Sequence, residues 1–397
     1  MNFEEPHIKI GLLDLKQSLN LRGRDSRVVR WAMKWSRVKK NWLAKYRHGG
    51  RTVQPGDKLR VLFWLAGGLG DGACARRLVL AYREQMPHAE FFIYAQLPDV
   101  AQTLFGADKK TTILTDGNIR WADYDLSVQV CLTAKFWYAD AARIAQLSPT
   151  FLPAFERAQE AQKNLGELLD DPFLTEAALG RWLYASGGRR FNLLSYTGGL
   201  ALPHEETRRL KTETKILEKY GLSGVPYVTF HDGTSSAQTV GNNRPTRAWP
   251  AVRWCEFFRL FKRAFPQIKL VQLGGKNSPV YEEADFNLVG KTTLLDVPSI
   301  LQGAKAHIDT ESGLVQLAQY LDVKSVVIFG PTNREFFGYA KNINLASGPC
   351  GGCMWSTPDW MFACPLGHKA APCTEAVRAQ DVLKALKKLL VPAKSGF

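Results

Sequence analysis

Residues 304–332, AKAHIDTESGLVQLAQYLDVKSVVIFGPT, constrain the fold more than any other stretch of this chain. An apolar strand-like run ends in an acidic, hydroxylic turn, Asp309-Thr310-Glu311-Ser312-Gly313. Leu314, Leu317, Ala318 and Leu321 then recur at helical spacing, and Ser325–Phe329 read as a second buried strand closed by Gly330-Pro331-Thr332. Strand, turn, helix and strand in so short a span point to an open parallel sheet, in which ligands sit at the carboxyl ends of the strands. A Gly- and Ser-bearing turn that opens a helix presents backbone N–H groups and the positive end of the helix dipole, which suits an anion.

The same alternation organises most of the sequence. Residues 59–66 read as a buried strand, Gly67 to Gly72 as a turn, 73–86 as a helix and 90–96 as a second strand. Residues 124–131 and 134–147 extend that unit, and 150–220 read as mainly helical and loop-like. A break falls near Gly221–Pro226. Strands at 226–231, 268–273, 306–309 and 325–329 then alternate with helices at 250–265, 293–302 and 313–321. The pattern predicts two doubly wound α/β domains, 56–220 and 221–378. They are preceded by an extension over 1–55 and followed by a segment, 379–397, whose helix Ala379–Leu390 is expected to pack back on the first domain. A length of 397 residues accommodates both.

Composition excludes several classes. Apolar residues make up 45% and charged residues 22%, a globular balance. No run approaches the ~18 consecutive apolar residues of a membrane span. MNFEEPHIKI lacks the basic-then-apolar order of a signal peptide, so the expectation is a soluble cytoplasmic protein. The net charge of +15 is concentrated early: residues 20–51 carry eleven Lys and Arg against the single acid Asp25. Val28, Trp31, Trp35, Val38, Trp42 and Tyr46 recur on one helical face there. Such a segment fits a helix packed on the domain by its tryptophans, contact with the inner face of an anionic membrane, or nucleic acid.

Two local patterns carry chemistry by themselves. Gly67-Gly68-Leu69-Gly70-Asp71 follows a strand and opens a helix, which places Asp71 at a helix start close to the sheet's carboxyl edge, as a helix cap or as a reactive acid. Of the seven cysteines, Cys74, Cys131 and Cys255 lie within apolar patterns and read as core. Cys350, Cys353, Cys364 and Cys373 crowd into 24 positions rich in Gly and Pro. Cys350-Gly-Gly-Cys353 followed by two more cysteines fits a tetrahedral four-thiolate site for iron or zinc, with disulfides or free thiols as the alternatives. His368, between the last two cysteines, is an alternative ligand and otherwise reads as a loop residue.

The Gly-Asp after the first strand and the Asp309–Ala318 pattern resemble family-nine glycosyltransferases, the heptosyltransferases. So do the polar loop from His231 to Arg247-Ala248-Trp249-Pro250, and Gly274-Gly275 with Gly290-Lys291-Thr292-Thr293. The resemblance implies a GT-B architecture, two facing doubly wound Rossmann-like domains. It also implies metal-independent inverting transfer of a sugar from a nucleotide sugar, with ADP-heptose expected, to a hydroxyl of a protein or a lipopolysaccharide-type glycan. Asp71 stands where the family has its catalytic base, and Arg247 where it has a Lys on the donor diphosphate. Thr234, Ser235, Gly274, Gly275, Gly290, Lys291, Ser312 and Gly313 fall at donor-side positions. Glu311 stands where Asp is usual and Gln316 where His is usual. The cysteine layout resembles the iron-finger of bacterial autotransporter heptosyltransferases, which implies a structural metal on the four cysteines. Two readings from other classes stand beside this one: a nucleic-acid-binding protein, and a scaffold with a degenerate transferase fold.

Overall fold

The computed structural model describes residues 52–115, 119–171, 174–205, 208–233, 245–346, 348 and 350–391. The basic, Trp-bearing segment lies outside them, and so do Thr234 and Ser235.

The alternating pattern folds into two open sheets. The first contains β1 (Arg60–Leu65), β2 (Glu90–Ala95), β3 (Thr111–Leu114), β4 (Leu126–Val130) and β5 (Ala134–Ala139), in the order β3-β2-β1-β4-β5. All its pairings are parallel except β4 with β5, which is antiparallel. The second contains β6 (Tyr227–Phe230), β7 (Lys269–Gln272), β8 (Phe286–Asn287), β9 (His307–Thr310), β10 (Ser325–Ile328) and β11 (Ile343–Leu345). Its order is β11-β10-β9-β6-β7-β8, with every pairing parallel. The strand order reverses beside β1 in one sheet and between β6 and β9 in the other. Those are the switch points at which such sheets open a crevice.

The strands are apolar on both faces because helices follow them. Val61, Phe63 and Leu65 are buried in the first sheet, and Val228, Phe230, Val326 and Ile328 in the second. In the second sheet an aromatic block carries the packing: Trp254 lies within 5.6 Å of Phe258 and 4.9 Å of Trp249, and Phe230 within 4.7 Å of Phe258. Their helix, Ala251–Ala264, starts at Pro250 and buries Trp254, Phe257, Phe258 and Phe261 along one face.

Three sequence expectations change. The helix expected over 73–86 runs Leu69–Gln85, so Asp71 sits in its first turn. The stretch 134–147 is not one element, because its Phe-Trp-Tyr run pairs with β4 before the helix Ala141–Leu147 begins. The last helix, Ala379–Leu390, does not return to the first sheet. Val382, Ala385 and Leu386 join the aromatic block of the second sheet instead, and the Trp249 indole donates to the Val377 carbonyl at 2.9 Å.

Candidate active site

The two switch points converge on one cavity of about 520 Å3. On one side the turn after β1 enters the helix Leu69–Gln85 through Gly67, at φ +95°, where a Cβ would fall 2.4 Å from an Asp71 carboxylate oxygen. Only glycine allows that close approach. On the other side Ser312 caps the helix Gly313–Gln319, accepting from the Leu314 amide at 3.1 Å. The two helix starts meet backbone to backbone. A Cβ on Gly313 would lie 2.9 Å from the Gly70 nitrogen, and one on Gly70 would lie 3.3 Å from the Gly313 Cα.

Asp71 lines this cavity with its side chain 41% exposed. One carboxylate oxygen accepts from the Gly68 amide at 3.4 Å, and the other accepts from Arg190 Nη2 at 3.3 Å. The acid is therefore a helix cap and a cleft-facing carboxylate together. Arg190 is 3% exposed, also reaches the Cys131 carbonyl at 3.4 Å, and leaves Nη1 without a hydrogen bond. Glu176 shares this corner, on the π-helical stretch Leu174–Gly180. Burial, reinforced by the Asp71 charge and opposed by Arg190, pushes its carboxyl up to about 7.

Arg247 lines the cavity beside Glu311. Its Nη1 donates to the Glu311 carbonyl at 3.3 Å and stands 3.8 Å from the Glu311 carboxylate. Burial raises the Glu311 pKa and Arg247 opposes the rise. Gly274, Gly275, Glu311, Ser312, Gly313 and Gln316 all line the cavity. Gly290 and Lys291 do not reach it. Gly290, at φ +66°, donates its amide to the Gly274 carbonyl at 3.0 Å, and Thr292, Thr293 and Leu294 form the wall instead.

Two of these residues have a second duty. Gln316 Oε1 accepts from the Cys74 thiol at 3.6 Å and from the Tyr339 hydroxyl, while Nε2 donates to Glu311 at 3.3 Å. It ties the helix from the first sheet to the second. The Ser312 hydroxyl donates to Asp309, which is fully buried. Asp309 also meets His231 Nδ1 at 3.1 Å and His307 Nε2 at 3.2 Å. Burial alone would raise its pKa; the two imidazoles outweigh that and hold it down to about 2. His231 in turn lines the cavity.

The cysteine loop closes the remaining side. It is stitched back to the end of β10 by Gly352 N–H to Gly330 O at 3.2 Å and Met354 N–H to Pro331 O at 2.9 Å. Met354, Trp355, Trp360 and Met361 then face the cavity. Cys350, Cys353, Cys364 and Cys373 are free thiols. Burial pushes up the Cys353 and Cys373 thiols. The neighbouring Cys364 and Cys350 add to the rise at Cys353, and Cys350 and Cys353 add to it at Cys373, so the four form one neighbourhood. Among the described residues, however, no group of three His, Cys, Asp or Glu side chains is arranged to hold a metal ion.

The comparisons bear on this geometry. The family model for glycosyltransferase family 9 (heptosyltransferase) matches residues 189–356. A segment of 146 residues is 30% identical to lipopolysaccharide heptosyltransferase 1 of Pseudomonas aeruginosa, covering 34% of this chain and 38% of that relative's length. The iron-containing dodecameric glycosyltransferase TibC of enterotoxigenic E. coli superposes with a TM-score of 0.54 at 15% identity, covering 85% of this chain and 78% of that one. E. coli ADP-heptose lipopolysaccharide heptosyltransferase II gives 0.52 at 16% identity, with 84% and 98% covered. The fold is GT-B.

Glu176, Arg190, His231, Trp355 and Trp360 line the cavity without having been expected there from the sequence. Arg190 lies 119 positions from Asp71 in a stretch without clear periodicity, so nothing local announced it. No described helix is long and apolar enough to cross a membrane.

Proposed function

We propose that the protein is an inverting glycosyltransferase that moves a sugar, heptose from ADP-heptose, onto an acceptor hydroxyl. The observation that carries the reading is the meeting of the Asp71 turn and the Gly313 turn in one cavity that Arg247 also lines. TibC has been crystallised with ADP-D-β-D-heptose, which supports the choice of donor. Asp71 takes the proton of the acceptor hydroxyl as that oxygen bonds to the anomeric carbon and the bond to the diphosphate oxygen breaks. Arg190, buried beside it, keeps the carboxylate aimed at the cavity. Arg247 offsets the charge that grows on the departing diphosphate. The acceptor is a protein Ser or Thr, or a lipopolysaccharide-type glycan. The basic N-terminal segment would serve contact with an anionic inner membrane surface.

Four free, soft thiolate donors that perturb one another would hold one structural iron or zinc, the role that their spacing suggests. Such an ion would cross-link residues 348–375, and no step of the transfer passes through it. Elemental analysis of purified protein should find one iron or zinc per chain, reduced by any single Cys→Ser change at these four positions. Metal-free, folded protein with four titratable thiols at these positions would remove the metal from the reading.

A thermal-shift screen of nucleotide sugars tests the donor, because a ligand that binds only the folded state raises Tm by mass action. ADP-heptose should give the largest shift, followed by transfer to an acceptor. Binding without any transfer would favour a scaffold. Steep salt-dependent binding of DNA or RNA, with no nucleotide-sugar binding, would favour a nucleic-acid protein.

A further inference from the structure

Trp355 is held in a conformation that its own backbone opposes. Its φ is +61°, in the left-handed region where a bulky side chain is an outlier. Such strain persists only where the surroundings dictate it, and it gathers at functional sites. The surroundings here are specific. The indole lies against the bare backbone of Gly180, where a Cβ would come within 2.5 Å of the ring. Phe336 meets it edge-on at 6.0 Å and 88°, and Phe337 at 6.3 Å and 63°. The adjoining backbone is pinned from the other half of the molecule: the Tyr184 hydroxyl donates to the Gly352 carbonyl at 2.7 Å, and Arg181 Nη1 donates to the Met354 carbonyl at 2.9 Å.

These contacts fix Trp355 at one level of the cavity. It belongs to the loop anchored on β10, yet it touches the Leu174–Gly180 stretch that carries Glu176 beside Asp71. The donor diphosphate side holds Arg247, and the acceptor side holds Asp71. Trp355 lines the same cavity as both and joins the two stretches, so its indole is placed to meet a group that passes between them. An indole offers a large apolar face with a negative quadrupole, which attracts the electropositive C–H face of a sugar ring. We propose that Trp355 is the platform on which the transferred sugar stacks, which makes the cysteine loop part of the sugar-specificity site. The proposal rests on the transferase reading above.

The test compares a nucleotide sugar with its bare diphosphate. Trp355→Gly suits the left-handed backbone and so preserves the loop, while Trp355→Phe keeps a smaller aromatic face. Calorimetric titration of the full chain should show ADP-heptose affinity reduced about threefold to tenfold in the Gly variant, less in the Phe variant, with ADP affinity unchanged in both. Equal losses for ADP and ADP-heptose, or no loss for either, would overturn the platform. A wild type that binds ADP but not ADP-heptose would instead overturn the choice of heptose. The same variants are then titrated with UDP- and GDP-sugars against UDP and GDP. A Gly variant that matches the wild type on every pair, or a wild type that prefers no nucleotide sugar to its diphosphate, overturns the platform as well.

Discussion

Asp71 and Asp309 are both acids at the carboxyl edge of a sheet, and their surroundings treat them in opposite ways. Asp71 keeps 41% of its side chain exposed, with one guanidinium and one distant amide for partners. Asp309 is fully buried, and two imidazoles and a hydroxyl surround it. A carboxylate with an open face can exchange a proton with a substrate. A carboxylate sealed from solvent and bound by three neighbours serves to hold other groups in place, here the cap of the Gly313 helix and the cavity-facing His231.

The contrast can be broken by exchanging the two acids for near-isosteres. Asp71→Asn should lower transfer by about 10²–10⁴-fold while donor affinity stays near wild type, since general-base loss acts on the chemical step. Undiminished turnover would put the reactive base elsewhere.

Asp309→Ala should act on the fold instead. It leaves buried imidazoles without their acceptor and should reduce unfolding free energy by about 3 kcal/mol in denaturant titration. The pH dependence has a definite sign. The folded pKa, held down to about 2, lies below the unfolded value of about 3.9, so Asp309 contributes stability above that value and loses it as pH falls toward 2. The Ala variant should lack this component of acid unfolding. A variant as stable as wild type but inactive would make Asp309 a chemical residue and erase the distinction.

Glu176 sharpens the comparison with the smallest effect. Its folded pKa, about 7, lies above the unfolded value of about 4.3, so the folded state favours the protonated form. Its contribution is most favourable at pH 4 and is lost as pH rises through 7. Glu176→Gln should therefore raise Tm at pH 8 and leave it nearly unchanged at pH 4. Equal changes at both pH values would mean that packing, not charge, dominates at this position.

The sequence revealed whatever repeats at short range. Strand-and-helix alternation, the Gly67–Asp71 corner and the Glu311–Gly313 corner were all legible, because periodicity and turn chemistry are local signals. The partners that define each acid were not. Arg190 reaches Asp71 from a helix whose stretch showed no clear period, and His231 reaches Asp309 across 78 positions. The last helix misled because amphipathicity shows that a face is buried but not which sheet buries it. The cysteines were legible as a cluster because their spacing is local, and the fold brings their thiols close enough to perturb one another.

The contact between Gly70 and Gly313 sets a gauge. With hydrogen in place of a side chain on both, the turn bearing Asp71 and the turn following Glu311 rest directly on each other. The separation between the carboxylate on one half and the Arg247 guanidinium on the other follows from that bare contact. A single methyl at Gly313 would meet the Gly70 nitrogen at 2.9 Å and act as a shim, spreading the two jaws without touching either charged group. The spacing across the cavity between these two charged groups is thus ruled by two residues that carry no chemistry of their own.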